Sequence, residues 1–340
     1  MGGGTMIGDV FDFEKPIAEV ENLIRELKSP QRHEEALREG IDLSAKIAEL
    51  EEELHQVMVR VYKNLSPWEK TQIARHKDRP YSLDCIRLIF DDFFELNGDR
   101  LAANDEAIVG GPALLENRPV MVIGQQKGRD IKERQRRNFG SAHAEGFRKA
   151  LRLAQLAERF HMPLITFVDT AGAAADLHAE ELGVSEAIAH NLREFSLLKT
   201  PIIVTIIGEG GSGGALGLAV GDHVSMLEHS IYSVISPEGC AAILWHDKSR
   251  ASEAAKSLCL TASNALALGV IDDILPEPLG GAHRDPVTMA ETIKTSLLTS
   301  LNKLDSFPSI DILIETRYQR LRRMGEYAER TPCEENGNDG

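Results

Sequence analysis

Five glycines crowd into seven residues at 208-GEGGSGG-214, directly behind the apolar run 201-PIIVTIIG-208. Glycines at that density leave backbone N–H groups accessible, and three kinds of chemistry use such a feature. Gly208, Gly210 and Gly213 spell G-x-G-x-x-G, the pyrophosphate turn of dinucleotide folds, with Glu228 placed 20 residues after Gly208 where a ribose-binding acid would stand. Gly210, Ser212 and Gly214 spell G-x-S-x-G, a nucleophile elbow, and Asp247 or Asp272 followed by His283 completes the chain order of a triad. In the third reading Gly213 and Gly214 open a helix whose unpaired N–H groups and positive dipole end face a developing anion.

The rest of the chain bears unequally on these readings. The helix after the glycines has about nine residues before Gly221-Asp222, short for a parallel crossover. A dinucleotide fingerprint also belongs on the first strand of its domain, whereas several strands precede this one. For the elbow, acidic residues are frequent enough between Ser212 and His283 that the acid–histidine order arises by chance. The third reading gains from 169-DTAGAAAD-176, a second strand ending in small residues, where Gly172 and Ala173 can present a facing N–H. Two such donors are what an enolate or tetrahedral oxyanion requires, each typically worth about 3–4 kcal/mol. Ordinary tight turns, with glycine for close packing, are the plainer alternative.

The elements that must position these residues follow from pattern. Leu43, Ile47, Leu50, Leu54, Val57 and Val61 form a heptad seam on a charged helix, which predicts an antiparallel helical arm or a contact with another subunit. 66-SPWE-69 reads as a capping box with proline at the first helical position, and a further helix is expected from Leu83 to Leu96, stopped by Asn97-Gly98. IVGGPALL and PVMVIGQQ predict a hairpin around 116-ENRP-119. Strands and helices then alternate to 270-VIDDILPE-277, and helices close the chain from Pro286. This is an α/β core behind a helical segment.

Composition narrows the partners. A formal charge of −15 over 340 residues argues against a polyanion-binding surface, so nucleic acid is not an expected partner. The four cysteines are scattered, without C-x-x-C or histidines at ligand spacing, so no metal is expected on this chain. No run of 18 apolar residues and no signal-peptide pattern occurs, which predicts a cytoplasmic protein without a transmembrane segment.

Several stretches together resemble one family: 107-AIVGG-111, 124-GQQKGR-129, 138-NFG-140, 146-GFRKALRL-153, 208-GEGGSGGALG-217, 232-YSVISPEGCAAILW-245 and 276-PEPLGGAHRDP-286. These are similar to the alpha subunits of bacterial and plastid-type acetyl-CoA carboxylase carboxyltransferases, over roughly residues 11–325. The resemblance implies a crotonase-like core of repeated strand-strand-helix units at 101–285, behind a helical segment at 11–100 and ahead of helices at 286–327; the glycine-rich start and polar tail, 1–10 and 328–340, are expected to be disordered. It implies pairing with a beta subunit as α2β2, and work alongside biotin carboxylase and a biotin carboxyl carrier protein. The implied reaction passes a carboxylate from carboxybiotin, presented by that separate carrier, to acetyl-CoA, giving malonyl-CoA for fatty-acid synthesis. No cofactor is then bound covalently here, and zinc belongs on the beta subunit.

Gly213, Gly214, Gly172 and Ala173 would serve biotin's ureido oxygen through their N–H groups. Lys127 and Arg129 would hold the migrating carboxylate or a CoA phosphate, as would Arg136 and Arg137, for which solvated surface charge is an equal alternative. The pattern departs at two loops: the family's T-P-G-A-Y-P-G is 170-TAGAAAD-176 here, and its M-P-A-P is 141-SAHA-144. Loss of proline raises the entropy that a loop surrenders on ordering. A carboxyltransferase or decarboxylase for another acyl-CoA, and a non-catalytic scaffold subunit, are the alternatives these departures leave.

Overall fold

The computed structural model describes residues 10–39 and 42–325, so the ends expected to be disordered lie outside it apart from Val10. Five helices come first: α1 (Lys15–Leu27), α2 (Pro30–Glu39), α3 (Ser44–Lys63), α4 (Pro67–Ala74) and α5 (Ser82–Ile89). The core then runs β1 (Ile108–Leu115), β2 (Arg118–Gln125), α6 (Ile131–Arg136), α7 (Ala144–Arg159), β3 (Leu164–Thr170), α8 (Leu177–Glu181), α9 (Val184–Leu197), β4 (Ile202–Gly211) and α10 (Ser212–Ala219). It continues through β5 (His223–Leu227), β6 (Ile231–Ser233), α11 (Pro237–Trp245), α12 (Ala251–Ser257), α13 (Ala262–Ala267) and β7 (Asp273–Leu275), and ends with α14 (Pro286–Asp305) and α15 (Ile310–Arg322).

One sheet has the order β1-β2-β3-β4-β5-β7, with β6 paired to the far end of β4. β1 and β2 form the antiparallel hairpin, and every later pairing is parallel. Helices cover both faces, which is why the central strands are apolar on both sides. Met121, Ile123, Ile202, Val204 and Ile206 pack beneath Phe147 and Leu218. Their alternates Val120, Val122, Ile203 and Ile207 pack on Ile86, Ile293 and Leu297.

The heptad seam packs within its own chain: Leu50 meets Val20 and Ile24, and Val57 and Val61 lie with Ile17, Tyr62 and Ile73. Ser66 forms the expected reciprocal cap with Glu69. The helix expected over 83–96 ends at Ile89 instead. Phe90 turns extended, and the N–H groups of Phe94 and Leu96 bond to the carbonyls of Pro112 and Gly110. Backbone partners on the open edge of β1 outcompete helix continuation, and Gly111 permits the approach because a Cβ there would lie 1.9 Å from the Phe94 oxygen.

Two buried arginines tie the outer helices to the sheet. Arg79 donates to the Ile207 carbonyl at 2.7 Å and pairs with Glu277, both side chains being buried. On α15, Arg317 grips Asp222 with two nitrogens at 2.8 and 2.7 Å and donates to the carbonyls of Phe195, Leu198 and Thr200. An ammonium cannot span that set. Arg317→Lys is therefore expected to cost about 2 kcal/mol in urea unfolding, from carbonyls left unpaired; an unchanged midpoint would sink this account.

Candidate functional site

The glycine run is not a loop. β4 continues through Gly211, and three of the glycines are strand residues at points of close contact. A Cβ on Gly208 would lie 2.4 Å from an Asp169 carboxylate oxygen, one on Gly210 2.7 Å from the Tyr232 ring, and one on Gly211 2.2 Å from the Ala171 carbonyl. Pairing with β6 requires this extended backbone. The pyrophosphate reading fails here, because Gly208 and Gly210 face packed atoms and Glu228 accepts the Glu277 N–H at 3.2 Å.

Helix α10 begins at Ser212, which takes the left-handed conformation (φ +51°) and is exposed. Such a turn suits a nucleophile, but His283, Asp247 and Asp272 are all engaged elsewhere. His283 stacks on His76 with ring centroids 4.1 Å apart, Asp247 caps its own turn through Ser249, and Asp272 binds the Val224 N–H and Arg320. Ser212 has no side-chain hydrogen bond among the described residues. Ser212→Ala is accordingly expected to leave turnover within about twofold in a steady-state assay; a hundredfold loss would restore the elbow.

The two small-residue segments do meet. A Cβ on Gly214 would sit 2.4 Å from the Ala173 nitrogen and 2.5 Å from the Gly172 carbonyl carbon, so the loop lies directly on the first turn of α10. The N–H groups of that turn have no intrahelical partner, and Ala173 donates to no acceptor among the described residues. Gly213 is open, with nothing nearer its Cβ position than Ile188 at 3.7 Å. Gly172 is a correction, since its N–H is taken by the Thr170 hydroxyl at 3.1 Å. The available donors are thus Ala173 with Gly213 and Gly214.

Beside them lies a buried charge network absent from the expected site. Lys127 Nζ stands 2.7 Å from Asp169 on β3 and 2.7 Å from Glu209 on β4, and Glu209 also binds Arg75 Nε at 2.7 Å. Arg75 in turn pairs with Glu238 on α11. Burial alone would lower the Lys127 ammonium, but Asp169 and Glu209 outweigh it and raise it. Burial opposes the charge on Glu209 too, yet Lys127 and Arg75 bring that carboxyl down to about 2. Gln125 links network and donors, accepting the Asp169 N–H at 3.0 Å and donating to the Gly214 carbonyl at 2.7 Å. A register shift between Val168 and Thr170 frees Asp169 from regular pairing.

Lys127, expected to meet a phosphate or carboxylate, is thus committed to two protein carboxylates. Arg129 stacks on Tyr81, its Cζ 4.0 Å from the ring centroid, and binds Asp84. Arg137 is buried against Glu133 and the Glu106 carbonyl, a structural role. Arg136 is more than half exposed, with Glu106 at 3.2 Å, and is the freest of the four expected cations. Sequence reading missed Asp169, Glu209, Arg75 and Glu238; a lone acid in an apolar glycine strand was the one available signal, because a buried charge needs a partner. It also missed three successive left-handed residues, Asn138, Phe139 and Gly140 (φ +43°, +54° and +83°), of which Gly140 lies against the Lys127 stem and Phe139 is exposed.

Residues 10–325 match the model of the acetyl co-enzyme A carboxylase carboxyltransferase-like family. The chain belongs to that family. Among its relatives, the acetyl-coenzyme A carboxylase carboxyl transferase subunit alpha of Geobacter metallireducens is 53% identical over 318 residues, covering 94% of this chain and 98% of the relative. The carboxyltransferase sheet and its layered helices recur in the transcarboxylase 12S core solved with methylmalonyl-coenzyme A (TM-score 0.53, 20% identity, 66% of this chain); this chain spans only 42% of that protein. They recur also in a Pseudomonas malonate decarboxylase hetero-tetramer in complex with coenzyme A (TM-score 0.52, 18% identity, 64% of this chain and 89% of that one). The fold is crotonase-like.

Proposed function

We propose that this chain is the alpha subunit of an acetyl-CoA carboxylase carboxyltransferase, active with a beta subunit in an α2β2 assembly. Carboxybiotin, delivered on a separate carrier protein, is one substrate and acetyl-CoA the other; malonyl-CoA, for fatty-acid synthesis, is the product. In the transfer the N–C bond of carboxybiotin breaks, the acetyl methyl gives its proton to the ureido nitrogen, and the methyl carbon bonds the released carboxyl carbon. Negative charge passes through the ureido oxygen and the thioester oxygen, and each needs aligned donors.

The observation that supports this reading is the seating of Ala173 on the first turn of α10, 2.4 Å from the Gly214 Cβ position, beside the N–H groups of Gly213 and Gly214 that have no intrahelical partner. We assign them to the ureido oxygen. The Lys127–Asp169–Glu209–Arg75 network then serves as the rigid floor beneath them, while Arg136 remains for a CoA phosphate.

The malonate decarboxylase is a hetero-tetramer, and this chain exposes Val234, Ile243 and Leu244 on and beside α11, whose Glu238 is part of the network. That face is assigned to the beta subunit, with any zinc on the beta side. Cytoplasmic residence is proposed with it; among the described residues no helix is long and apolar enough to cross a membrane. Reconstitution with the cognate beta subunit should restore carboxyl exchange between malonyl-CoA and biotin, neither subunit acting alone. A well-folded complex without exchange would instead support a scaffold, and exchange only with a different acyl-CoA would reassign the substrate.

A further inference from the structure

The loop that carries the Ala173 donor has little means of ordering itself. From Ala171 to Ala175 it offers four alanines and one glycine, no side chain larger than a methyl. A flexible loop pays backbone entropy of order 1–2 kcal/mol per residue to hold one conformation, and the burial of one methyl, that of Ala174 in the core, has to be joined by tethers. Its near end is fixed by the Thr170 hydroxyl, which accepts from the Gly172 N–H. Its middle is fixed by the Ala174 N–H, which donates to the Ala142 carbonyl at 2.9 Å. Its far end is Asp176.

Asp176 meets a cluster of titratable side chains outside the site described above. His143, the residue before α7, places Nε2 3.0 Å from an Asp176 oxygen. The other face of its ring looks toward Asp105, 3.8 Å from Nδ1, while its backbone N–H donates to that same Asp105 oxygen at 2.7 Å. His178 on α8 packs edge-on against the His143 ring with centroids 5.2 Å apart and bonds the buried Glu145 carboxylate at 3.0 Å. The second oxygen of Glu145 has no partner, so His178 is what holds that group. Lys149 completes the surroundings, reaching the Asp105 carbonyl at 3.1 Å. Among the described residues no three such groups are placed to hold a metal ion.

We propose that His143 is a positioning residue: held between Asp105 and Asp176, it pins the far end of the 171–176 loop and thereby fixes where the Ala173 N–H points. The inference rests on the donor role assigned to Ala173. It joins two loops, 141-SAHA-144 and 170-TAGAAAD-176, into one device.

The charge state gives the device a pH range. Asp105, against the effect of burial and with help from Asp176, raises the His143 imidazolium to about 9 from an ordinary 6.5. A raised value means that the charge-assisted part of the tether is complete below about 6.5, still largely present at neutral pH, and lost as pH rises through about 9, above which the neutral ring keeps one N–H for Asp176.

The test uses the reconstituted α2β2 enzyme and compares His143→Ala with His143→Gln. The alanine variant should lose about tenfold in kcat with KM for acetyl-CoA changed less than twofold, the scale expected when a reacting group is misplaced. Glutamine keeps a neutral N–H toward Asp176, so it should recover part of that loss, to about the level the parent reaches at pH 10, and lack the decline the parent shows between pH 8 and 10. Hydrogen exchange of the 171–178 peptide supplies a readout that does not require turnover: it should quicken about tenfold in His143→Ala, and by a smaller factor in the parent at pH 9.5 after correction for intrinsic rates. Unchanged protection in His143→Ala would overturn the proposal, as would a parent and glutamine variant with the same pH profile. An assembly that never turns over, yet shows the exchange change, would fail the functional reading while leaving the tether standing.

Discussion

Gly214→Ala is expected to lower carboxyl transfer at least a hundredfold while the chain still folds and pairs. The added methyl would come within 2.4 Å of the Ala173 nitrogen and 2.5 Å of the Gly172 carbonyl carbon, both backbone atoms that cannot rotate away. The 171–176 loop must lift from α10 to accommodate it, and the donors then no longer converge. Removing one oxyanion donor costs about 10² to 10³ in kcat, and here at least one is displaced. Gly213→Ala is the control, because its methyl would lie no closer than 3.7 Å to Ile188; single-turnover exchange should separate the two variants by more than tenfold. Equal rates for both would mean that the contact between the loops has no part in catalysis.

Lys127→Met carries the largest expected effect on stability. It keeps the volume of the stem but leaves Asp169 and Glu209, 2% and 9% exposed at their side chains, without their shared ammonium, and among the described residues only Glu209 keeps a cation, Arg75. Removing one member of a buried ionic cluster typically costs 3–5 kcal/mol, and about 4 is expected here from the urea midpoint at pH 7. The sign with pH is also fixed. Glu209 folds with a value near 2 against an ordinary 4.5, so its contribution in the parent is complete above about 4.5 and declines toward pH 2. The unpaired carboxylates of the variant are relieved by protonation, so the gap between the two proteins should narrow on acidification. A second change, Asp169→Asn in the Lys127→Met background, should recover part of the loss at pH 7. A variant as stable as the parent would show that the network contributes nothing to folding.

What could be read in advance follows from how local each feature is. The alternation of Val120, Met121, Val122 and Ile123, and of Ile202 through Ile207, fixes two buried faces without any knowledge of neighbours. The Ser66 cap is equally local. The nearness of Ala173 to Gly214 could be anticipated because both follow apolar strands that were expected to lie in one sheet. The site's charges were different in kind. Lys127 opens a basic run and so looks solvated, and only the strand order brings it to Asp169 and Glu209. Gly172 loses its N–H to the Thr170 hydroxyl through a side-chain rotamer that no spacing encodes. The end of α5 at Ile89 depends on carbonyls at Gly110 and Pro112, over 20 residues away, competing for the N–H groups of Phe94 and Leu96.

Arg75 follows α4, in the helical segment that precedes the sheet, yet its guanidinium joins Glu209 of β4 to Glu238 of α11. Arg79, from the same stretch, does likewise with Glu277 and the Ile207 carbonyl. The chain is therefore not divisible where its secondary structure changes character. A shortened version starting at the first strand would expose two acids that face one another without their shared cation, so trimming experiments would report on that repulsion rather than on what the helices do. Chimeras with related proteins have to carry the 66–79 stretch together with the sheet it neutralises, and the natural unit of exchange is larger than the crotonase-like core.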